Sequence, residues 1–467
     1  MHTRLTGRPV RCNQEARLLT EAVARELALP CPSFNVVLAL KIDGELEPSI
    51  ATRAVALLLS RHGQLRSRFI PSARISERER RNQLLTFGST AILQPGLFEC
   101  AESRTTTPEL TTKHLDTAPD LETAVSRAIE ADAATPFDYA QPPLIRGTVF
   151  ECGADERVLV LVVAHLVADG VSLDILCREL IAIVAALAES RNLELPEIER
   201  EYWQIVADEQ MRECSGGNAK ETAYWAQQWS VVENGYEKGR DAWPELLSGE
   251  TSSRRPDYSV QHLALSPTLS SALRALAQAN RATIDMVFRA CLLLTVARMA
   301  RRSTPSILCS YANRCAETRS TVGWLSNRHA LTVHAGDARS SIELIRDVRV
   351  ATLEGLAHQS LSPFMLWRHL GRNIERERMR CQIALNVQVT RHIDVGRLRF
   401  RRLMLPRGQW ARIADLDVRI VINDGHAETF LKYRCDRFHH DTIAAILGEF
   451  ETVALTMTKA PNRTLSL

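Results

Sequence analysis

Lysine is scarce in this chain. Only six of its 58 basic residues are Lys, at positions 41, 113, 220, 238, 432 and 459. So strong an arginine bias reads as the imprint of a GC-rich gene rather than as an anion-binding device. Charge of either sign is not in excess: 58 Lys and Arg stand against 55 Asp and Glu, a net +3, so no global field calls for nucleic acid. The 11 cysteines are odd in number and scattered, with no CxxC pair. That argues against a disulfide framework or a zinc site and for reduced, mostly buried thiols in a cytosolic protein. No apolar run approaches the roughly 18 residues that span a bilayer. The N-terminal MHTRLTGRPVRCNQEAR has no apolar core of a secretory signal. P-loop and dinucleotide fingerprints are missing, as is any metal-ligand spacing. These absences describe a cytoplasmic protein with no membrane, metal or nucleic-acid partner.

What is present is a long globular chain. Its 467 residues, 45% hydrophobic, are too many for one ordinary domain. Residues 33–43, SFNVVLALKID, read as a strand. Glu47 to His62 follows as an amphipathic helix with Ile50, Ala54, Leu57 and Leu58 on its buried stripe. SARISERERRNQ (72–83) is charged and solvated, 122–133 predicts a helix, and TPFDYAQPPL (135–144) is a proline-punctuated connection. Ile145–Phe150 and Val158–Val163 form a strand pair around ECGADE, and Leu176, Leu180, Ile183, Val184 and Leu187 mark the next helix. Residues 188–260 are the least regular stretch, and the division between halves is placed near 190–200, giving 1–192 and 193–467. In the second half His262–Leu265, Ile307–Tyr311 and Ile383–Val389 read as strands, Pro267–Asn280 and Ile284–Ala300 as helices. Val418–Ile422 and Thr429–Tyr433 pair around Asn423-Asp424-Gly425, and helices near 340–357 and 441–457 complete the set. Both halves mix strands with flanking helices, so the fold class is α+β in two lobes.

Chemistry is concentrated in VLVLVVAHLVADGVS (158–172), where a buried strand runs straight into a histidine and an Asp-Gly pair. A histidine beyond a strand end can act as a general base, because its ordinary pKa near 6.5 suits proton transfer near neutrality. It can equally be a hydrogen-bonded scaffold residue, and the stretch alone leaves both readings open.

AHLVADGVS resembles the HHxxxDG signature of condensation domains of nonribosomal peptide synthetases, members of the wider HxxxD acyltransferase superfamily. Other segments are similar to that family's motifs, in the same order. SRHGQLRSRF (60–69) resembles RHExLRTxF, and PFDYAQPPLIRGTVF (136–150) resembles PFDLxxxPLxR. SILCSYANR, ending at Arg314, and VGWLSNRHALTV (322–333) are similar to GxPxxNR and xGxFVNTxxxR. HQSLSPFMLW (358–367), CQIALNVQV (381–389) and LKYRCDRFHHDTI (431–443) resemble HQDxPFExL, the FNxQ strand and LxYxxxLFxxxTI. CNQEARLL (12–19) echoes SxAQxRLW only faintly.

The resemblance implies two chloramphenicol-acetyltransferase-like lobes in a V around a central tunnel. It implies amide or ester formation between an acyl thioester and an amine or alcohol, with His165 as base or positioner. Asp169 would make a structural ion pair with Arg314, and Gly170 would permit the turn and the approach of substrate. Ala164 stands where the signature usually has its first histidine, Ser326 where Val is usual, and Arg328-His329 at Thr-x; Ala164, Ser326 and Asn327 are expected along the tunnel. No adenylation motif and no carrier-type serine segment is present, and SGGN (215–218) is not one. The expectation is a free-standing condensation enzyme that binds no cofactor itself. Phosphopantetheine would arrive on an acyl or peptidyl carrier protein in trans, and the acceptor would be a small amine or alcohol. An acyl-CoA-dependent acyltransferase and a non-catalytic carrier-binding recruitment domain are the alternatives; no EGHGRE-like segment supports an epimerase. Outside these motifs, His439-His440-Asp441 reads as a helix N-terminus, His426 and Glu428 as part of a surface hairpin, and the arginine-rich runs 74–81 and 372–380 as solvated faces.

Overall fold

A computed structural model describes residues 7–28, 33–90, 96–103, 108–115, 120–234, 257–336, 339–371, 383–405 and 414–466. The arginine run 372–380 lies outside them. In chain order the elements are α1 (Cys12–Glu26), β1 (Asn35–Asp43), α2 (Pro48–Arg61), β2 (Ser67–Pro71), α3 (Glu77–Thr90), β3 (Phe98–Glu102), β4 (Glu109–His114), α4 (Leu121–Ala128), α5 (Glu130–Ala134), β5 (Ile145–Glu151), β6 (Glu156–Ala164) and α6 (Gly170–Ala188). There follow α7 (Tyr202–Cys214), α8 (Ala219–Asn234), β7 (Tyr258–Ala264), α9 (Pro267–Ala279), α10 (Ile284–Ala300), β8 (Ser306–Tyr311), β9 (Asn327–Thr332), α11 (Ser341–Ala357), α12 (Pro363–His369), β10 (Ile383–Thr390), β11 (His392–Val395), β12 (Leu398–Leu403), β13 (Leu416–Asn423), β14 (His426–Arg434) and α13 (His440–Lys459).

Two six-stranded sheets organise these elements, ordered β11-β12-β1-β6-β5-β4 and β7-β14-β13-β10-β8-β9. In the first, Leu159, Leu161 and Val163 of β6 pack with residues of α2 and α6, whereas Val158, Val160 and Val162 pack with Val125 and Ile129. The strand is covered on both faces, which is why it reads as an unbroken apolar run rather than an alternating one. The second sheet carries α10, buried nearly all round, with α9 and α13 against it. Side-chain caps set several helix starts: Ser266 before α9, Thr283 before α10, and a Ser340/Glu343 capping box at α11.

The structure departs from the sequence expectations in four places. The stretch that reads as least regular contains α7 and α8, held by the short buried stripes Tyr202, Ile205 and Val206 and Trp225 and Trp229. Part of the solvated run 72–83 is the start of α3, where Arg80 pairs with Glu77. Leu57, expected on the buried stripe of α2, is 39% exposed. Residues 392–403 return from the second half of the chain to complete the first sheet, with β12 antiparallel to β1. Among the described cysteines, Cys214, Cys315 and Cys435 are exposed and the others buried. Among the described residues no helix is long and apolar enough to cross a membrane.

Candidate active site

Strand β6 ends at Ala164, and the chain turns over residues 165–167 into α6. The turn is pinned on both sides. His165 N–H donates to the Phe34 carbonyl at 2.8 Å, and Ala164 N–H to the Leu144 carbonyl at 3.0 Å. From α1, the Gln14 side-chain amide donates to the Leu166 carbonyl at 2.8 Å. The imidazole stacks on the Phe34 ring at 4.4 Å and 9°, with Trp324 tilted against both rings at 5.1 and 5.3 Å.

The tautomer of His165 follows from its partner. Nδ1 lies 2.8 Å from the Ala168 carbonyl oxygen, which can only accept, so Nδ1 carries the proton and Nε2 keeps its lone pair. Burial pulls the pKa of the ring down to about 4; its backbone hydrogen bonds and the charge of Asp169 oppose that, and Arg328 reinforces it. The ring is therefore neutral at pH 7, and Nε2 has no partner among the described residues.

Asp169 caps α6 and is completely buried. Arg314 grips it as a fork, Nη1 to Oδ2 and Nη2 to Oδ1, both at 3.1 Å. Oδ1 also accepts from the Ser172 amide and hydroxyl at 2.8 Å, and Oδ2 from the amides of Leu325 at 3.0 Å and Ser326 at 2.8 Å. Burial alone would push this carboxyl up. The Arg314 charge and these donors outweigh it and hold the carboxyl below its usual range. A carboxylate so fully occupied has no lone pair left for a substrate; it fastens the start of α6 to the 321–326 loop.

The other expected positions fall differently. Gly170 opens α6 with an ordinary backbone angle, and a Cβ there would meet nothing within 4 Å; the turn does not require glycine. Ala164 and Asn327, expected along a tunnel, are 0% and 2% exposed. Ala164 faces core, and Asn327 uses its amide on Gln359, Asn13 and Arg11. Ser326 is partly exposed. His329 is buried on β9 of the second sheet, stacked on Trp225 at 3.8 Å and bonded through Nε2 to the Leu361 carbonyl.

Several residues of the site carry no role in the sequence reading. Ser172 sits at the third position of α6, where a serine after a capping aspartate is a recognisable signal, and its hydroxyl meets Asp169, Arg314 and Gly323. Arg11, 2% exposed, joins Glu209 of α7 to the Trp324 carbonyl. Gly323 is required by packing: a Cβ there would lie 2.0 Å from the Tyr202 ring. Among the described residues no group of three or more His, Cys, Asp and Glu could hold a metal ion.

With this geometry in place, comparison with known proteins adds the following. The family model for the condensation domain matches residues 30–467. A component of the linear gramicidin synthase of Brevibacillus parabrevis is 28% identical over 341 residues, covering 71% of this chain but 4% of its own length. The chain thus spans a small fraction of that curated relative. Among solved structures, the first condensation domain of the calcium-dependent antibiotic synthetase, in complex with a substrate analogue, has a TM-score of 0.77 at 19% identity, covering 99% of this chain and 98% of the other. The X-domain from teicoplanin biosynthesis has a TM-score of 0.73 at 18% identity, covering 99% and 98%. At these identities the structural likeness speaks for the shared fold.

Proposed function

Because this chain belongs to the condensation domain family, we propose that it joins an acyl or aminoacyl thioester, borne on the phosphopantetheine arm of a carrier protein, to an amine or alcohol acceptor, with His165 taking the acceptor's proton. The observation that supports this reading most is the state of His165. A neutral imidazole, fixed through Nδ1–H on the Ala168 carbonyl, keeps Nε2 unoccupied at the lobe junction. In this reading the two lobes form the walls of a V, and thioester and acceptor enter the passage between them from opposite sides. The acceptor's N–H or O–H passes its proton to Nε2 as its lone pair adds to the thioester carbonyl. Expulsion of the thiolate then returns that proton to sulfur, so the enzyme needs no redox group or metal of its own for the exchange. Asp169 and Arg314 hold the corner without touching the reacting atoms.

Turnover with pantetheine thioesters, carrier-bound thioesters and acyl-CoA, each offered amine and alcohol acceptors, tests the reading. Preference for the carrier-bound donor, together with a loss of about 10²–10⁴-fold in His165→Ala, is the expected result. Efficient turnover of acyl-CoA alone reassigns the donor. Unchanged turnover in a folded His165→Ala removes the histidine from the chemistry.

A further inference from the structure

Beside His165 stands a second polar group that neither the fold nor the ion-pair knot uses. The Trp324 ring lies 5.3 Å from the imidazole, centroid to centroid, and 5.1 Å from Phe34. Its main chain is clamped: the carbonyl accepts from Arg11 Nη1 at 2.9 Å and from the Tyr202 hydroxyl at 3.2 Å, and the next amide, that of Leu325, donates to Asp169. The indole N–H has no acceptor among the described residues. The indole N–H groups of Trp229 and Trp367 are also without acceptors, but they are buried in the core; that of Trp324 is not. Trp324 itself is only partly buried. A rigidly held donor, reachable from outside the protein and one ring away from a free imidazole lone pair, is an arrangement suited to a substrate that offers an oxygen to one group and a proton to the other.

We propose that Trp324 is a catalytic residue whose indole N–H donates to the carbonyl oxygen of the acyl thioester while His165 Nε2 receives the acceptor's proton. This rests on the reaction class proposed above. As the nucleophile's lone pair forms the new bond to carbon, the C=O pair moves onto oxygen, and the indole N–H meets that developing charge. Collapse re-forms C=O, breaks the C–S bond and releases the thiolate, which takes the proton back from His165. The sum is acyl thioester plus H–nucleophile giving acylated nucleophile plus thiol. The division of labour also gives a reason for the paired anchoring by Arg11 and Tyr202, since a donor is effective only where its direction is fixed before the charge appears.

The test compares wild type, Trp324→Phe, Phe34→Leu and His165→Ala with pantetheine thioesters, and follows the indole N–H resonances in ¹⁵N spectra on titration with an unreactive pantetheinyl ketone. Trp324→Phe keeps an aromatic ring and removes the donor. It is expected to lower kcat about 10²-fold with KM within about twofold, and to leave the acid limb of the pH profile in place. Phe34→Leu, which loses the stack but keeps the donor, is expected to cost less than tenfold. The resonance missing from Trp324→Phe, one of seven tryptophans, is expected to move downfield as the ketone binds. Wild-type kcat in Trp324→Phe with a dead His165→Ala overturns the role of Trp324 and leaves the reaction class standing. No turnover by wild type with any thioester overturns the reaction class and with it the catalytic role of Trp324; where wild type does turn over, an unmoved resonance ends the proposal for Trp324 alone. A Trp324→Phe protein that fails to fold is likewise decided by that titration on wild type, with the Trp324 resonance assigned through Trp324→Tyr.

Discussion

The corner that carries His165 has a counterpart at the end of β14 in the second sheet, and the two differ in side chains rather than in backbone. Strand β6 ends at Ala164 and α6 starts at Gly170; β14 ends at Arg434 and α13 starts at His440, with turns at 165–167 and 435–437 between them. His165 N–H donates to the Phe34 carbonyl just before β1, and Cys435 N–H to the Asp257 carbonyl just before β7. Ala164 N–H donates to Leu144 and Arg434 N–H to Asp415, each residue standing just before the neighbouring antiparallel strand. On this shared frame the first corner holds a neutral histidine and a buried capping aspartate. The second holds an exposed cysteine and an exposed histidine that makes no cap bond, and it spends its charges locally, with Asp415 between Arg434 and Arg437. A strand–turn–helix corner is thus a place where chemistry can be mounted, and the side chains at its first and fifth positions decide whether it is.

The sharpest way to break the comparison is to replace the side chain at the first position of each corner. His165→Ala is expected to lose the 10²–10⁴-fold of turnover stated above, whereas Cys435→Ala stays within about twofold, measured on the same thioester. The cap position comes next. Asp169→Ala strands Arg314 in a buried setting and is expected to cost about 3–5 kcal/mol of stability. His439→Ala, on the exposed cap, should cost no more than about 0.5 kcal/mol. Denaturant midpoints check both, and Asp169→Ala/Arg314→Ala should cost less than the two single changes added together. A smaller effect is expected at the strand end. Ala164→His forces a ring into a space with 0% exposure, for about 1–3 kcal/mol, read as a lowered Tm. Least in energy but most diagnostic is the pH profile. Since burial holds the His165 pKa at about 4, Nε2 stays unprotonated at higher pH and activity is lost only as pH falls through about 4. An acid limb near the ordinary 6.5 would show that the ring is hydrated and that the corner is more like its counterpart than the structure makes it.

Some of this is legible from sequence because the physics is local. The run Val158–Val163 announces a buried strand, and Leu176, Leu180, Ile183, Val184 and Leu187 announce the helix that follows it. The ordered motifs identify the family, and with it Arg314 as the partner of Asp169, which the structure places at 3.1 Å. Other features arise from contacts between distant segments. Helices α7 and α8 escape the sequence reading because each buries only a short stripe, Tyr202, Ile205 and Val206 in one and Trp225 and Trp229 in the other, amid polar and charged residues. Strands β11 and β12 escape it because their partner β1 lies at the other end of the chain. The Phe34, His165 and Trp324 cluster joins a residue before β1, a turn after β6 and the loop before β9, which no spacing connects. Ala164 is an unexplained departure in the sequence; in the structure it is simply core.

The return of residues 392–403 to the first sheet has a consequence for how such proteins can be recombined. Phe400, Leu398 and Leu403 are buried in the first lobe, and Arg401 reaches Glu122 there at 2.9 Å. A chimera that joins this first lobe to a foreign second lobe near residue 192 would inherit someone else's strand beside β1, or leave β1 as an unpaired edge open to association with other chains. The unit that must be exchanged together is discontinuous, and a shuffling experiment that respects only the order of the chain will cut through it.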